Sequence, residues 1–145
     1  AGGGEKVTLN IAARYAQYTN FGGDDLDLFV AKSEILNGHC GDVGTEFDSI
    51  VRSANFNILC AETEDGVNEK KAWLQRHLAQ YVSEPAADRF AKMFDSTSGT
   101  PEQIVAKLKD FEGAGLGYAI VQFADIAYDR SSVELFAREV MPAFA

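Results

Sequence analysis

Hydrophobic positions along this 145-residue chain change their period several times, and each change marks an element. From Glu5 to about Gln17, Val7, Thr8, Ile11, Ala12, Tyr15 and Ala16 recur near helical spacing and predict a helix. Tyr18-Thr19-Asn20-Phe21 is too short for a helix and is closed by Gly22-Gly23, so it reads as a short strand or its end. Asp24-Asp25 then offers a helix start. Leu26, Phe29, Val30, Ser33, Leu36 and Cys40 form one stripe, with stops between Gly38 and Gly44.

The clearest strand signal runs from Ile50 to Ala61. Its even positions read Ile50, Arg52, Ala54, Phe56, Ile58 and Cys60, whereas its odd positions read Val51, Ser53, Asn55, Asn57 and Leu59. Such alternation predicts an apolar face packed under helices. The Ser/Asn face points either into a barrel interior or cleft, or to solvent. Glu64-Asp65 opens a further helix with Val67, Trp73, Leu74, His77, Leu78 and Tyr81 on its apolar side. Pro85 is expected to break it before a shorter helix carrying Ala86, Ala87, Phe90 and Phe94. Asp95-Ser96-Thr97-Ser98-Gly99 has the composition of a loop.

Thr100-Pro101-Glu102-Gln103 places an N-cap Thr, a first-position Pro and a third-position Gln, the signature of a capping box. Ile104, Val105, Leu108 and Phe111 form the buried side of that helix. Tyr118 to Ala124 then predicts a buried strand. Ser131-Ser132-Val133-Glu134 predicts a second capping box, opening a last helix that runs to about Met141-Pro142. Helices alternating with strands indicate parallel βαβ units. About three parallel strands with flanking helices make a poor complete sheet. They fit an α/β fold that is the C-terminal half of a (β/α)8 TIM barrel, whose usual size is about 250 residues. The expected organisation is a single domain over 1–145 with a helical insertion at about 64–98, the region expected to vary with substrate or partner.

Charge and composition narrow the functions. A net charge of −9 opposes binding to nucleic-acid backbone, which needs a basic face. No stretch approaches the roughly 18 apolar residues of a membrane span, so no membrane partner is expected. Cys40 and Cys60 are far apart and lie among apolar positions, which suits buried free thiols in a reducing, cytoplasmic setting. His39 and His77 lack metal-ligand spacing, and no metal site is expected. Asn20, Asn55 and Asp125 fall near strand ends, where barrel chemistry takes place, but a structural or cavity-lining role suits each better. No catalytic acid or base is assigned; neither Asp125 nor His77 is promoted to one.

The chain opens Ala1-Gly2-Gly3-Gly4-Glu5-Lys6-Val7-Thr8-Leu9. A glycine turn feeding a helix N-terminus gathers backbone N–H groups and favours an anion. Such a turn ordinarily follows a strand, so the chain reads as cut from something larger. With Ile11-Ala12-Ala13-Arg14-Tyr15-Ala16, this opening resembles a segment of the luciferase-like monooxygenase superfamily, and more narrowly its coenzyme F420-dependent branch. Thr19-Asn20-Phe21-Gly22-Gly23, the Lys32 to Cys40 helix with its His39-Cys40 pair, Gly99-Thr100-Pro101-Glu102-Gln103 and the ending Glu134 to Pro142 are similar to family segments in the same order.

The resemblance implies a TIM-barrel oxidoreductase using coenzyme F420 or FMN, with hydride transfer to or from a small-molecule substrate. It implies that Gly2, Gly3, Gly4 and Lys6, with Thr8, hold the cofactor phosphate. The F420 branch is preferred over FMN because of the opening motif. The early strands and their share of the site are not in the sequence, so the isolated chain is expected to be weakly active or inactive. Self-association, or pairing with the missing N-terminal half, is the expected partnership. The alternative is a half-barrel binding or interaction module without redox catalysis.

Overall fold

A computed structural model describes residues 4–145. Gly2 and Gly3 lie outside the described residues. The element order is α1 (Thr8–Tyr15), β1 (Tyr18–Gly22), α2 (Leu26–Val43), β2 (Val51–Ile58), α3 (Glu64–Leu78), α4 (Glu84–Lys92), α5 (Pro101–Gly113), β3 (Tyr118–Phe123) and α6 (Ser131–Leu135). A π-helical turn, Phe136–Val140, and a 3-10 turn, Met141–Phe144, follow α6. The sheet runs β1-β2-β3, and its strands are parallel. β1 and β2 pair in register from Tyr18 opposite Val51 to Gly22 opposite Asn55.

The chain divides into two compact units, one of residues 1–56 and 110–120, the other of 57–109 and 121–145. In the first unit, the register puts Phe21 beside Ala54, the side of the sheet that also carries Phe56. That side is covered by helices, because Phe29 of α2 meets Phe21 at 5.7 Å and Phe111 of α5 meets Phe29 at 5.4 Å and Phe56 at 5.1 Å. All are edge contacts, the arrangement that ring quadrupoles favour. Arg52 shares this side. Its guanidinium sits 4.6 Å from the Phe47 ring centroid and donates to the Ala114 carbonyl at 3.2 Å. On the opposite side Ser53 is buried and donates to the Thr19 carbonyl at 2.6 Å, whereas Asn55 is half-buried. Ala12, Ala13, Leu36, Cys40 and Ile50 make a further apolar cluster.

Several boundaries differ from the sequence expectation. α1 begins three residues late, at Thr8, because Glu5 to Val7 form a turn in which the Gly4 carbonyl accepts from Leu9 N–H. α3 ends at Leu78, well before Pro85, and Pro85 sits in the first turn of α4, where its missing N–H has no intrahelical partner to lose. β3 is not the buried strand predicted. Tyr118 is 57% exposed and Ile120 and Val121 are half-buried, since β3 lies at an edge of the sheet. The apolar run identified a strand but not its position in the sheet.

The first capping box forms its reciprocal half, with Thr100 N–H donating to Gln103 Oε1 at 3.0 Å and Pro101 opening α5. The second does not form. Ser131 is already helical, Arg130 holds the cap position, and no side chain caps it. Both serines are engaged elsewhere, as described below. No described helix is long and apolar enough to cross a membrane.

Candidate functional site

The glycine turn and the start of α1 lie in the first unit. A Cβ on Gly4 would stand 2.7 Å from Thr8 Oγ1, so a larger residue there would require the Thr8 side chain to move. Lys6 is exposed and Thr8 is half-buried. Glu5, between Gly4 and Lys6, is fastened to α2 at two points. Its carboxylate accepts from Lys32 Nζ at 2.8 Å, and its carbonyl accepts from His39 Nε2 at 2.8 Å. Lys32 and His39 are seven residues apart, two turns along one helix face. Because a carbonyl only accepts, Nε2 carries the proton, and Nδ1 lies 3.4 Å from Asn10 Nδ2, which can donate to it. The Lys32 ammonium holds the Glu5 carboxyl below the usual range, first by hydrogen bonding and then by charge. The Lys32-to-Cys40 motif thus acquires a physical reason: two of its residues fix the turn, and Cys40 packs in the core beside Leu36.

The second unit carries a denser polar cluster that composition did not disclose. β2 ends at Ile58, and the chain continues through Cys60, whose backbone bridges to Gly99. Cys60 N–H donates to Ser132 Oγ at 3.2 Å, and Ser132 Oγ donates to Asp125 Oδ2 at 2.5 Å. That same oxygen accepts from Lys70 Nζ of α3 at 2.7 Å. Lys70 gives its other protons to Asp129 Oδ2 at 2.7 Å and Ser131 Oγ at 2.9 Å, so all three ammonium donors are used. Asp129 Oδ1 accepts from Ser131 N–H at 2.9 Å, which replaces the absent N-cap.

Asp125 is 1% exposed, and its Oδ1 has no hydrogen-bond partner among the described residues. Burial alone would lower the Lys70 pKa, but hydrogen bonds to Asp125 and Asp129 outweigh it and raise the value. The Lys70 and Ser131 hydrogen bonds hold Asp129 down at about 2. Desolvation pushes the Cys60 thiol up to about 11 against the pull of Lys70, so this sulfur is a poor nucleophile near neutrality.

Beside this cluster lies a cleft of about 700 Å³ bordered by α3 and the segment after β3. Trp73 of α3 and Tyr128 stand at its wall with ring centroids 5.6 Å apart. His77 stacks on Trp73 at 5.0 Å with the ring planes 13° apart, and its edge meets Tyr128 at 4.6 Å, which accounts for it as an aromatic packing residue. Asn20 Oδ1 lies 3.2 Å from Ser53 Oγ, whose proton points to the shorter contact at the Thr19 carbonyl, and the Asn55 backbone carbonyl accepts from Gly23 N–H at 2.9 Å. Both cysteines are free and buried. Among the described residues, no group of three metal-ligating side chains converges.

No protein-family model and no curated protein sequence matches the chain. Solved structures do. The coenzyme F420-dependent tetrahydromethanopterin reductase of Methanopyrus kandleri superposes with a TM-score of 0.73 at 18% identity, over 99% of this chain and 50% of that one. The fold is that of about half a TIM barrel. A riboflavin lyase bound to modified FMN and riboflavin matches this half-barrel with a TM-score of 0.68 at 18% identity, covering 97% of this chain and 41% of its own. The EDTA monooxygenase of Chelativorans sp. BNC1 gives 0.70 at 13% identity, covering 97% and 44%. The half-barrel chain therefore spans about half the length of the structures it matches, and the predicted α/β half-barrel architecture is borne out.

Proposed function

We propose that this chain is the part of a luciferase-like oxidoreductase that holds the phosphate of coenzyme F420 or FMN, with Gly2, Gly3, Gly4, Lys6 and Thr8 as its contacts. The observation that carries the reading is the double fastening of Glu5 by Lys32 and His39. It fixes the segment between Gly4 and Lys6 relative to α2, where a flexible end would have no such bonds. The residues present fit a phosphate: Gly4 brings the turn close against Thr8 at the start of α1, and Lys6 offers an exposed ammonium beside that helix N-terminus. The half-barrel fold shared with F420- and FMN-associated proteins supports the same assignment.

The bound cofactor would supply the hydride chemistry. The chain's own part is to orient and charge-match the phosphate. Lys32 and His39 position Glu5, and Lys6 adds a point charge to the backbone donors. F420 is favoured over FMN because the opening segment resembles that branch. The isolated chain binds the phosphate end but turns over weakly or not at all, the ring and substrate contacts being shared with barrel strands outside this sequence.

Fluorescence titration with FMN and with riboflavin, which lacks the phosphate, tests the reading. FMN should bind the tighter, and Lys6→Ala should weaken FMN by about tenfold while leaving riboflavin unchanged. Equal binding of the two flavins, or an indifferent Lys6→Ala, would sink it. F420 against its phosphate-free fragment settles the cofactor in the same way.

A second reading, self-association without redox catalysis, is favoured by the sheet edges: β1 and β3 each pair on one side only. Unpaired parallel edges template further strands. Sedimentation showing a monomer at all concentrations would remove this reading.

A further inference from the structure

We propose that the cleft bordered by α3 and the segment after β3 binds a small arylmethylammonium ion, with the buried Asp125 carboxylate as its anchor and Trp73 and Tyr128 as its aromatic wall. This goes beyond the phosphate reading and does not rest on it, since every residue it uses belongs to the second unit.

Three observations converge. The first is an acceptor without a donor: Asp125 is 1% exposed, lines the cleft, and spends Oδ2 on Lys70 and Ser132 while Oδ1 has no partner among the described residues. A buried carboxylate oxygen left unpaired is costly, and a ligand donor reaching it recovers that loss. The second is charge. Asp125 and Asp129 face a single ammonium, Lys70, whose three protons are already committed. One further ammonium brings the cluster to neutrality, while a carboxylate or phosphate would make it more negative. Glu69 and Arg76, also at the cleft, are of opposite sign and leave that balance unchanged. The third is the wall. Lys70 and Trp73 are three residues apart on one face of α3, and Tyr128, with 66% of its surface exposed, stands beside the Trp73 ring. Aromatic faces attract a cation and cover the apolar part of an aryl ligand.

The chain contains one tryptophan, Trp73, so its fluorescence reports on this cleft alone. Benzylammonium, benzyl alcohol and benzoate serve as probes of matched shape. Saturable change is expected with benzylammonium at millimolar concentration, with benzyl alcohol several-fold weaker and benzoate without effect. Asp125→Asn should weaken benzylammonium by about tenfold, and Tyr128→Ala by about threefold. Should Asp125→Asn lose its native circular dichroism, Tyr128→Ala decides, because that ring is exposed and its removal spares the fold. No saturable signal with benzylammonium, equal binding of the alcohol or the benzoate, or unchanged affinity in the folded variants overturns the proposal.

Discussion

The glycine turn of the first unit and the Lys70 cluster of the second solve opposite problems. The turn is exposed and chemically sparse, and its worth lies in backbone geometry that two side chains of α2 keep in place. The cluster is built around a buried carboxylate and is rich in ionisable groups, and the one local signal in it, the Ser131 to Glu134 capping-box pattern, points to a different role. A backbone site tolerates loss of a charge with little effect on folding. A buried ionic site does not, since each group there is another's counter-ion. The binding proposed for each region should therefore be separable from stability at the turn and coupled to it at the cluster.

The largest effect should come from Asp125→Ala, which leaves Lys70, with a side chain only 16% exposed, facing a single half-exposed carboxylate. A loss of roughly 3–5 kcal/mol is expected in urea denaturation; a loss within the range of an ordinary surface substitution would show that the cluster is solvated after all. Next is Gly23→Ala. Its Cβ would lie 2.5 Å from the Asn55 carbonyl oxygen and 2.6 Å from the Phe56 ring, and the shift should remove about 1–3 kcal/mol by the same measurement.

Ser132→Ala removes one donor to Asp125 and the acceptor of Cys60 N–H, with about 1–2 kcal/mol expected and a rise in amide exchange at Cys60. The smallest effect is at the turn itself: Lys6→Ala should stay within about 0.5 kcal/mol of the parent chain. A larger change would mean that Lys6 supports the fold and would erase the contrast.

Acid separates the regions in another way. With Asp129 held at about 2, its contribution to stability is complete above the ordinary carboxylate range and disappears as pH falls through about 2. Its side chain is half exposed, so the change is modest. Lys70, its pKa raised, contributes below the ordinary lysine range and loses that contribution only as pH rises through its elevated value. The acid limb of a stability profile should flatten in Asp129→Asn and stay unchanged in Lys6→Ala.

Local signals were legible where one segment decides its own conformation. Asp25 does cap α2, accepting from Leu28 N–H at 3.0 Å, and Gly44 ends it in the left-handed conformation with φ 75°. The apolar side of β2 packs under helices as its alternation requires. What escaped the sequence depended on distant partners. Ser131 and Ser132 look like the start of a capping box, yet Lys70, 61 positions away, donates to the Ser131 hydroxyl, and Cys60 N–H, 72 positions away, donates to that of Ser132. Asp125 could be noticed as a polar residue at a strand end. Its pairing with Lys70 could not, because a lysine on an amphipathic helix gives no sign of facing inward. For the turn the position was reversed: the glycines were obvious, while the reason for Lys32 and His39 emerged only when both met Glu5.

The phenylalanine contacts in the first unit have a consequence in time. Phe29 and Phe56 are synthesised early, but the ring that joins them, Phe111, arrives only after residues 57–109 of the other unit have been made. During translation the first unit must wait with its apolar side open while a whole intervening segment emerges. The order of synthesis thus makes the later segment a condition for the earlier one to finish folding.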